Sequence, residues 1–130
     1  MRVNSGNGLL SISINQDTSC LSIGTPYGYR IYSVEPGKKV TCLSKREPFH
    51  EERQGFSIVE MLYKSNLMAL VGTNSSKSGT LTANKIGIWD DAQAKFLFEI
   101  EFNNVIVAVQ WISNRWIQFK LTFKVGCGIA

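Results

Sequence analysis

A chain of 130 residues has room for one domain, and its 44% hydrophobic and 11% aromatic residues can build a packed core, which excludes a disordered tail. Its net charge of +4 is compatible with weak attraction to membranes or nucleic acid but is too small to identify either partner. The start of the sequence has no apolar segment of signal-peptide length, and aliphatic runs such as 105–109 are too short to span a bilayer, so we expect a soluble, cytoplasmic protein.

The first predicted strands alternate apolar and polar residues with a period of two. Leu10, Ile12 and Ile14 alternate with serines, a pattern typical of a strand with one buried face. The strands of this first group are predicted near 8–14, 20–24, 28–33 and 39–43. The charged stretch from Ser44 to Gln54 then predicts an exposed connection.

A second group of strands follows this connection. Its strands are predicted near 57–62, 67–72, 84–89 and 95–102. The last of them is predicted to have a wet charged face and one buried face. The buried face comprises Phe96, Phe98, Ile100 and Phe102.

The connection inside this second group, Gly72 to Gly79, looks at first like a phosphate-binding loop. It lacks the second glycine before Lys77 that such a loop needs, and a strand rather than a helix follows it. Compared with the first group, it holds about nine additional residues. We therefore predict an enlarged hairpin and no nucleotide site.

The chain also repeats itself. Segment 21–25 returns 48 residues later as 69–73, and a weaker third copy begins near 113, with strands predicted at 105–111 and about 115–123. Repeats of about 40 to 50 residues with about four strands each are typical of β-propeller blades. The dipeptide Trp89-Asp90 ends the third strand of one repeat, as in WD-repeat blades.

These patterns predict an all-β chain, a partial β-propeller of WD-repeat type with about two and a half four-stranded antiparallel blades. Residues 1–130 are expected to form a single incomplete propeller domain. Blade one is predicted at 8–43 and blade two at 57–102. A partial blade three is predicted at 105–130, where the C-terminal end departs from the repeat.

Four segments together resemble the PROPPIN family, WD-repeat propellers that bind phosphoinositides and act in autophagy. They are 13–17 (SINQD), 28–32 (GYRIY), 58–62 (IVEML) with 70–72 (LVG), and 84–91 (NKIGIWDD). The resemblance covers about residues 8–112. It implies a non-enzymatic, seven-bladed scaffold that recruits autophagy machinery to membranes carrying phosphatidylinositol 3-phosphate or the 3,5-bisphosphate.

The family's lipid motif, Phe-Arg-Arg-Gly, does not occur in this sequence, so no residue is assigned to phosphoinositide binding. Paired arginines hold phosphate through forked, charge-assisted hydrogen bonds, which single basic residues do not replace. We therefore expect a truncated product that lacks the lipid site. Peripheral association with autophagosome-precursor membranes is expected only of a full-length member.

The resemblance further implies that loops of the early blades contact a large lipid-transfer scaffold protein of autophagy. The matching positions are Asn15, Gln16 and Asp17, in the turn between the first two strands. Asn and Asp are equally the usual residues of a tight turn, so a purely structural role stays open. A propeller interaction module unrelated to autophagy is the alternative function.

Other candidate sites are interpreted as structural. Asp90 and Asp91 are expected to form a turn, the basic pairs 38–39 and 45–46 a solvated loop surface, and the single His50 gives no catalytic triad. The three tryptophans lie in apolar strands, which favours packing between blades over stacking on nucleic acid. Three widely spaced cysteines indicate reduced thiols without zinc-ligand spacing. We predict no enzyme, metal, cofactor or nucleic-acid partner.

Overall fold

The computed structural model describes residues 8–49, 54–73 and 81–112 in full, together with the backbone of residues 117–121. Ten strands occupy these residues. They are β1 (Ser11–Ile14), β2 (Cys20–Thr25), β3 (Gly28–Ser33), β4 (Thr41–Arg46), β5 (Ile58–Met61), β6 (Leu67–Val71), β7 (Lys85–Asp90), β8 (Lys95–Glu101), β9 (Ile106–Trp111) and β10 (Ile117–Leu121). These described residues contain no helix long and apolar enough to cross a membrane.

The strands form three antiparallel sheets in chain order. The first sheet is β1-β2-β3-β4, the second is β5-β6-β7-β8, and the third is the pair β9-β10. Within each sheet, every strand pairs antiparallel with the strand next to it in the chain. The arrangement confirms the predicted all-β class and its four-stranded antiparallel units.

The second sheet is packed on both faces. Toward the first sheet lies a layer rich in aromatic and large side chains, whose main members are Tyr29, Ile31, Phe49, Phe56, Met68, Leu70 and Trp89. On the opposite face, Ile106, Val109 and Trp111 of β9 pack with Ile86 and Ile88. Burying one large apolar side chain stabilises a fold by about 1.5–3 kcal/mol, so these two layers hold the three sheets together.

The first strand of the second sheet, β5, is joined by hydrogen bonds to both neighbouring sheets. The Ser22 hydroxyl donates to the carbonyl of Val59 (2.8 Å), and the Ser13 hydroxyl donates to Glu60 Oε1 (2.8 Å). On the other side, Trp111 Nε1 donates to the carbonyl of Glu60 (3.1 Å). Burial raises the pKa of the Glu60 carboxyl, and the bond from Ser13 only partly offsets that effect.

The stretch from Ser44 to Gln54 is less exposed than predicted. Strand β4 continues to Arg46, Phe49 is 2% exposed and Gln54 is 4% exposed; residues 50–53 lie outside the described part of the chain. The ring centroid of Phe49 lies 4.7 Å from that of Trp89. The prediction of an exposed connection is wrong at Phe49, which packs between the first two sheets, and at Gln54, whose side chain bonds Leu81.

Strand β8 contains a β-bulge. Phe96 pairs with Trp89 and Phe98 pairs with Ile88, which leaves Leu97 between them without a partner. One extra residue in a strand reverses the alternation of its faces. Phe96 therefore packs in the layer toward the first sheet. Phe98 pairs with Ile88, which belongs to the layer on the opposite face. The prediction of one shared apolar face is therefore wrong for Phe96, and the rest of that face is more exposed than predicted.

The long connection between β6 and β7 is closed at its base by Gln54. Its Nε2 donates to the carbonyl of Leu81 (3.0 Å), and its Oε1 accepts from the N–H of the same residue (2.8 Å). A Cβ on Gly72 would lie 2.0 Å from the Leu81 carbonyl oxygen, so the close approach of these two backbones requires glycine. Residues 74–80 of the predicted enlarged hairpin lie outside the described residues.

Candidate functional site

Asn15, the first residue of the predicted partner-binding turn, is buried. Its Nδ2 donates to Ser19 Oγ and to the carbonyl of Tyr63, both at 3.1 Å. Its Oδ1 accepts from the N–H of Cys20 (2.9 Å), and only 5% of the residue is exposed. Asn15 therefore closes its own turn and ties it to the second sheet.

Gln16 lies beside it on the surface but is also anchored. Its Nε2 donates to the carbonyl of Met61 (2.9 Å), while its Oε1 accepts from the N–H of Tyr63 (2.5 Å). One side chain thus satisfies two backbone groups of the β5–β6 turn. The side-chain amides of Asn15 and Gln16 thus connect the β1–β2 turn of the first sheet to the β5–β6 turn of the second sheet.

Asp17 is exposed and, unlike Asn15 and Gln16, its carboxylate accepts hydrogen bonds only from its own turn. Both the hydroxyl (2.5 Å) and the N–H (3.1 Å) of Ser19 donate to its Oδ1, and these bonds hold the pKa of the exposed carboxyl below its usual value. The following residue, Thr18, has a φ of 60°, which a β-branched residue rarely adopts. The turn thus presents an ionised carboxylate in a fixed place.

Charges of both signs surround this turn. Lys64 Nζ lies 2.8 Å from Glu35 Oε1, and Lys38 Nζ lies 3.4 Å from the other oxygen of the same carboxylate. Such exposed ion pairs contribute little to stability, so they chiefly fix where the charges are displayed. We call Gln16, Asp17, Glu35, Lys38 and Lys64 the turn surface.

A cavity of about 310 Å³ lies between the first two sheets next to the turn surface. Lys64 borders both features, and the other polar residues at the cavity include Asn66 and Asp91. Its apolar lining includes Ile31 and Met68, which are both almost fully buried. An apolar floor with a few polar groups is the usual composition of a binding pocket.

The main electrostatic contact between the first two sheets is centred on Asp91. Its Oδ1 accepts from Arg46 Nε (2.5 Å), from Trp89 Nε1 (3.2 Å) and from the Tyr29 hydroxyl, and its Oδ2 accepts from Ser44 Oγ (2.9 Å). Arg46 also lies over the Trp89 ring, 5.5 Å from its centroid. The prediction of a solvated loop is wrong for Arg46, because it ends strand β4 and its guanidinium bonds Asp91 between the first two sheets.

Asp90 and Asp91 have different roles although they are adjacent. Asp90 behaves as predicted for a turn, since its Oδ1 accepts from the N–H groups of Ala92 (3.0 Å) and Gln93 (3.3 Å). Asp91 lies in the turn 91–94, as predicted, but its side chain also joins the first two sheets. Burial alone would raise the pKa of Asp91, but hydrogen bonds led by those from Tyr29 and Arg46 outweigh burial and lower it.

The remaining sequence candidates give no chemical site in the described residues. Trp89 and Trp111 are buried between sheets, whereas His50 and Trp116 lie outside the described part of the chain. Cys20 is a buried free thiol and Cys42 an exposed one. No group of three His, Cys, Asp or Glu side chains that could hold a metal ion occurs among the described residues.

No protein-family model matches the chain, but curated proteins do. It is 35% identical over 105 residues to SVP1-like protein 2 of Eremothecium gossypii, a match that covers 81% of this chain and 25% of that protein. It is 37% identical over 102 residues to autophagy-related protein 18e of Arabidopsis thaliana, covering 78% of this chain and 26% of the relative. The chain thus spans about a quarter of the length of these curated relatives.

Solved structures share the fold. Kluyveromyces lactis Hsv2p matches with a TM-score of 0.69 and 22% identity, over 89% of this chain and 31% of the solved chain. A second match is KlAtg21, solved in complex with the coiled coil of AgAtg16, with a TM-score of 0.61 and 24% identity over 80% of this chain and 31% of the solved one. The solved structures show that the fold is that of a β-propeller. Because the curated relatives are also similar in sequence, this chain belongs to the PROPPIN family over the matched region.

Proposed function

We propose that this chain forms the first blades of a non-catalytic autophagy scaffold, which recruits other proteins to membranes. The observation that carries the proposal is the match of about four fifths of the chain to proteins named autophagy-related protein 18 or SVP1-like protein 2. The first and second sheets correspond to blades one and two, and the third sheet to the inner half of blade three.

The turn surface and the adjoining cavity are the proposed contact site for a protein partner. Asp17 displays an ionised carboxylate beside Lys64, and the cavity offers an apolar floor. A partner segment with a basic residue next to an apolar one would match both features. By family resemblance we propose the autophagic lipid-transfer scaffold as this partner; KlAtg21, a neighbour in fold, has been solved with a coiled coil.

A pull-down with the lipid-transfer scaffold tests this assignment. We expect Asp17→Arg to weaken capture at least tenfold, because it reverses the charge at the proposed contact while the bonds of Gln16 to Met61 and Tyr63 stay in place. Lys39→Glu is the matched control, a charge reversal at an exposed position outside the turn surface. Equal capture by the wild-type chain and Asp17→Arg would remove Asp17 from the site, and no capture at all would favour an interaction module outside autophagy.

Membrane binding gives a second prediction. Because the sequence contains no Phe-Arg-Arg-Gly motif, we propose that the lipid site of the family lies outside this chain. In flotation, we expect the chain to remain unbound both with vesicles containing phosphatidylinositol 3-phosphate and with vesicles lacking that lipid. Flotation that depends on the 3-phosphate would contradict the proposal, and a full-length Hsv2 serves as the positive control.

A further inference from the structure

The outer edge of the first sheet is open to solvent. Strand β4 is the last strand of that sheet, and among the described residues it pairs only with β3. Residues 36–43 are all exposed, and two of them are the large apolar residues Val40 and Leu43, which are 58% and 54% exposed. A further extended segment can therefore reach the backbone edge of β4 and join the sheet as a fifth strand.

This edge belongs to the rim of the propeller fold. Propeller blades are arranged radially around a central channel, and neighbouring blades pack through the faces of their sheets. In this chain the first strands lie together at the centre, since β5 contacts both β1 and β9. The fourth strand of a blade therefore lies at the outer rim, and its free edge stays accessible when further blades are added.

Lysines stand at both ends of this edge. Lys39 precedes the strand, Lys45 lies near its end, and both residues are exposed. The residues between them, 40–44, are uncharged. Because an extended chain advances by about 3.3 Å per residue, the backbone positions of the two lysines lie roughly 20 Å apart. The edge thus has an uncharged centre between two positive charges.

The acidic residues that flank β4 already have partners of their own. The two carboxylate oxygens of Glu47 accept from Thr25 Oγ1 and from Arg30 Nε, both at 2.5 Å. At the other end of the strand, the carboxylate of Glu35 is shared by the two lysines of the turn surface. Both ends of β4 therefore keep a net positive charge.

A second copy of this chain does not match the spacing of these charges. Pairing of two β4 edges would bring lysines close to lysines, which is unfavourable. Strand β8, the fourth strand of the second sheet, contains Glu99 and Glu101, but these lie only two positions apart. Lys39 and Lys45 lie six positions apart. The spacing therefore favours a segment of a different protein.

We propose that the outer edge of β4 binds an extended acidic segment of a partner protein as a fifth strand. The segment carries two carboxylates about six residues apart, with uncharged β-forming residues between them. Backbone pairing with β4 supplies affinity, and the contacts of the carboxylates with Lys39 and Lys45 supply specificity. Binding here is independent of the scaffold contact proposed above: Lys39→Glu, the control in that pull-down, changes this edge and leaves the turn surface intact.

Peptide binding to the whole chain tests the proposal. The probe is a fluorescent peptide of sequence Glu-Thr-Val-Thr-Val-Thr-Glu, and its binding is measured by fluorescence polarisation. We expect an analogue with lysines at both ends to bind at least tenfold more weakly, and Lys45→Glu to weaken binding of the acidic peptide at least fivefold. Lys95→Glu is the matched control, because Lys95 is an exposed lysine on the fourth strand of the second sheet and its replacement should leave binding unchanged.

Hydrogen exchange and N-methylated peptides test the strand pairing itself. The backbone amides of residues 40–45 should exchange more slowly in the complex. Since alternate N–H groups of a strand point to the same edge, methylating one alternate set of peptide nitrogens should abolish binding, whereas methylating the other set should not.

Four results would each overturn the proposal. They are the absence of binding by the acidic peptide, equal binding by the basic analogue, equal binding by both methylated peptides, and slowed exchange in another part of the chain. Self-association of the chain that Lys45→Glu abolishes would also overturn it, because the edge would then be occupied by a second copy.

Discussion

Replacing Asp91 by alanine should lower the free energy of unfolding by about 2–3 kcal/mol. Breaking a buried ion pair costs about 3–5 kcal/mol because the remaining charge loses its partner, and the partial exposure of this pair reduces that value. The side chains of Arg46 and Asp91 are 33% and 22% exposed. The change also leaves the Tyr29 hydroxyl and the Trp89 indole N–H without this acceptor.

Urea unfolding followed by far-UV circular dichroism measures the effect of Asp91→Ala. Asp17→Ala is the matched control, because it removes an exposed carboxylate that bonds only within its own turn, and its midpoint should stay close to that of the wild type. If the two alanine variants unfold at the same urea concentration, the Asp91 network does not hold the two sheets together.

The same carboxylate should make stability depend on pH in a defined direction. The folded-state pKa of Asp91 is lower than its ordinary value of 3.8, so its contribution is present above that value and is lost as pH falls below it. The difference in unfolding free energy between the wild type and Asp91→Asn should therefore shrink in that acidic range. A difference that stays constant between neutral pH and pH values below 3.8 would contradict this assignment.

Trp89→Ala is expected to be the most damaging single substitution, with a loss of about 3–5 kcal/mol. Trp89 is fully buried, and its ring centroid lies 4.9 Å from that of Phe96 in an edge-on arrangement. Because a domain of this size is stable by only about 5–15 kcal/mol, the variant should lose much of its cooperative unfolding transition.

Trp89→Phe separates packing from hydrogen bonding at the same position. Phenylalanine keeps an aromatic ring against Phe49 and Phe96 but loses the N–H that bonds Asp91, so we expect a smaller loss of about 1–2 kcal/mol. Both variants are compared with the wild type by circular dichroism during thermal unfolding. Equal losses for phenylalanine and alanine would show that ring packing contributes little here.

The sequence predicted the sheets because their strands alternate, but it could not predict the partners of single polar residues. Two adjacent aspartates after a strand look alike in sequence; Asp90 caps its turn, whereas Asp91 reaches Arg46, which lies 45 residues earlier in the chain. Strict alternation along β8 does not predict its bulge. The three successive apolar residues 96–98 were a signal of it, since an alternating strand rarely contains such a run.

The candidate turn shows the same limit. Family resemblance located residues 15–17, and turn chemistry explained why Asn and Asp occur there. Sequence alone could not separate the buried Asn15 from the exposed Asp17, because that difference depends on the β5–β6 turn, whose backbone Asn15 and Gln16 bind. Only the packing of the first two sheets shows which of these side chains stays exposed.

The amide of Gln54 has a consequence for how this fold tolerates change. It binds both backbone groups of Leu81, and the N–H of Gly72 donates to the carbonyl of Thr82 (3.2 Å) at the same place. The alignment of β6 with β7 is therefore determined at the base of their connection and not by the number of residues in it. A connection closed in this way can lengthen or diverge during evolution without shifting either strand, because loop length itself costs little once the ends are fixed.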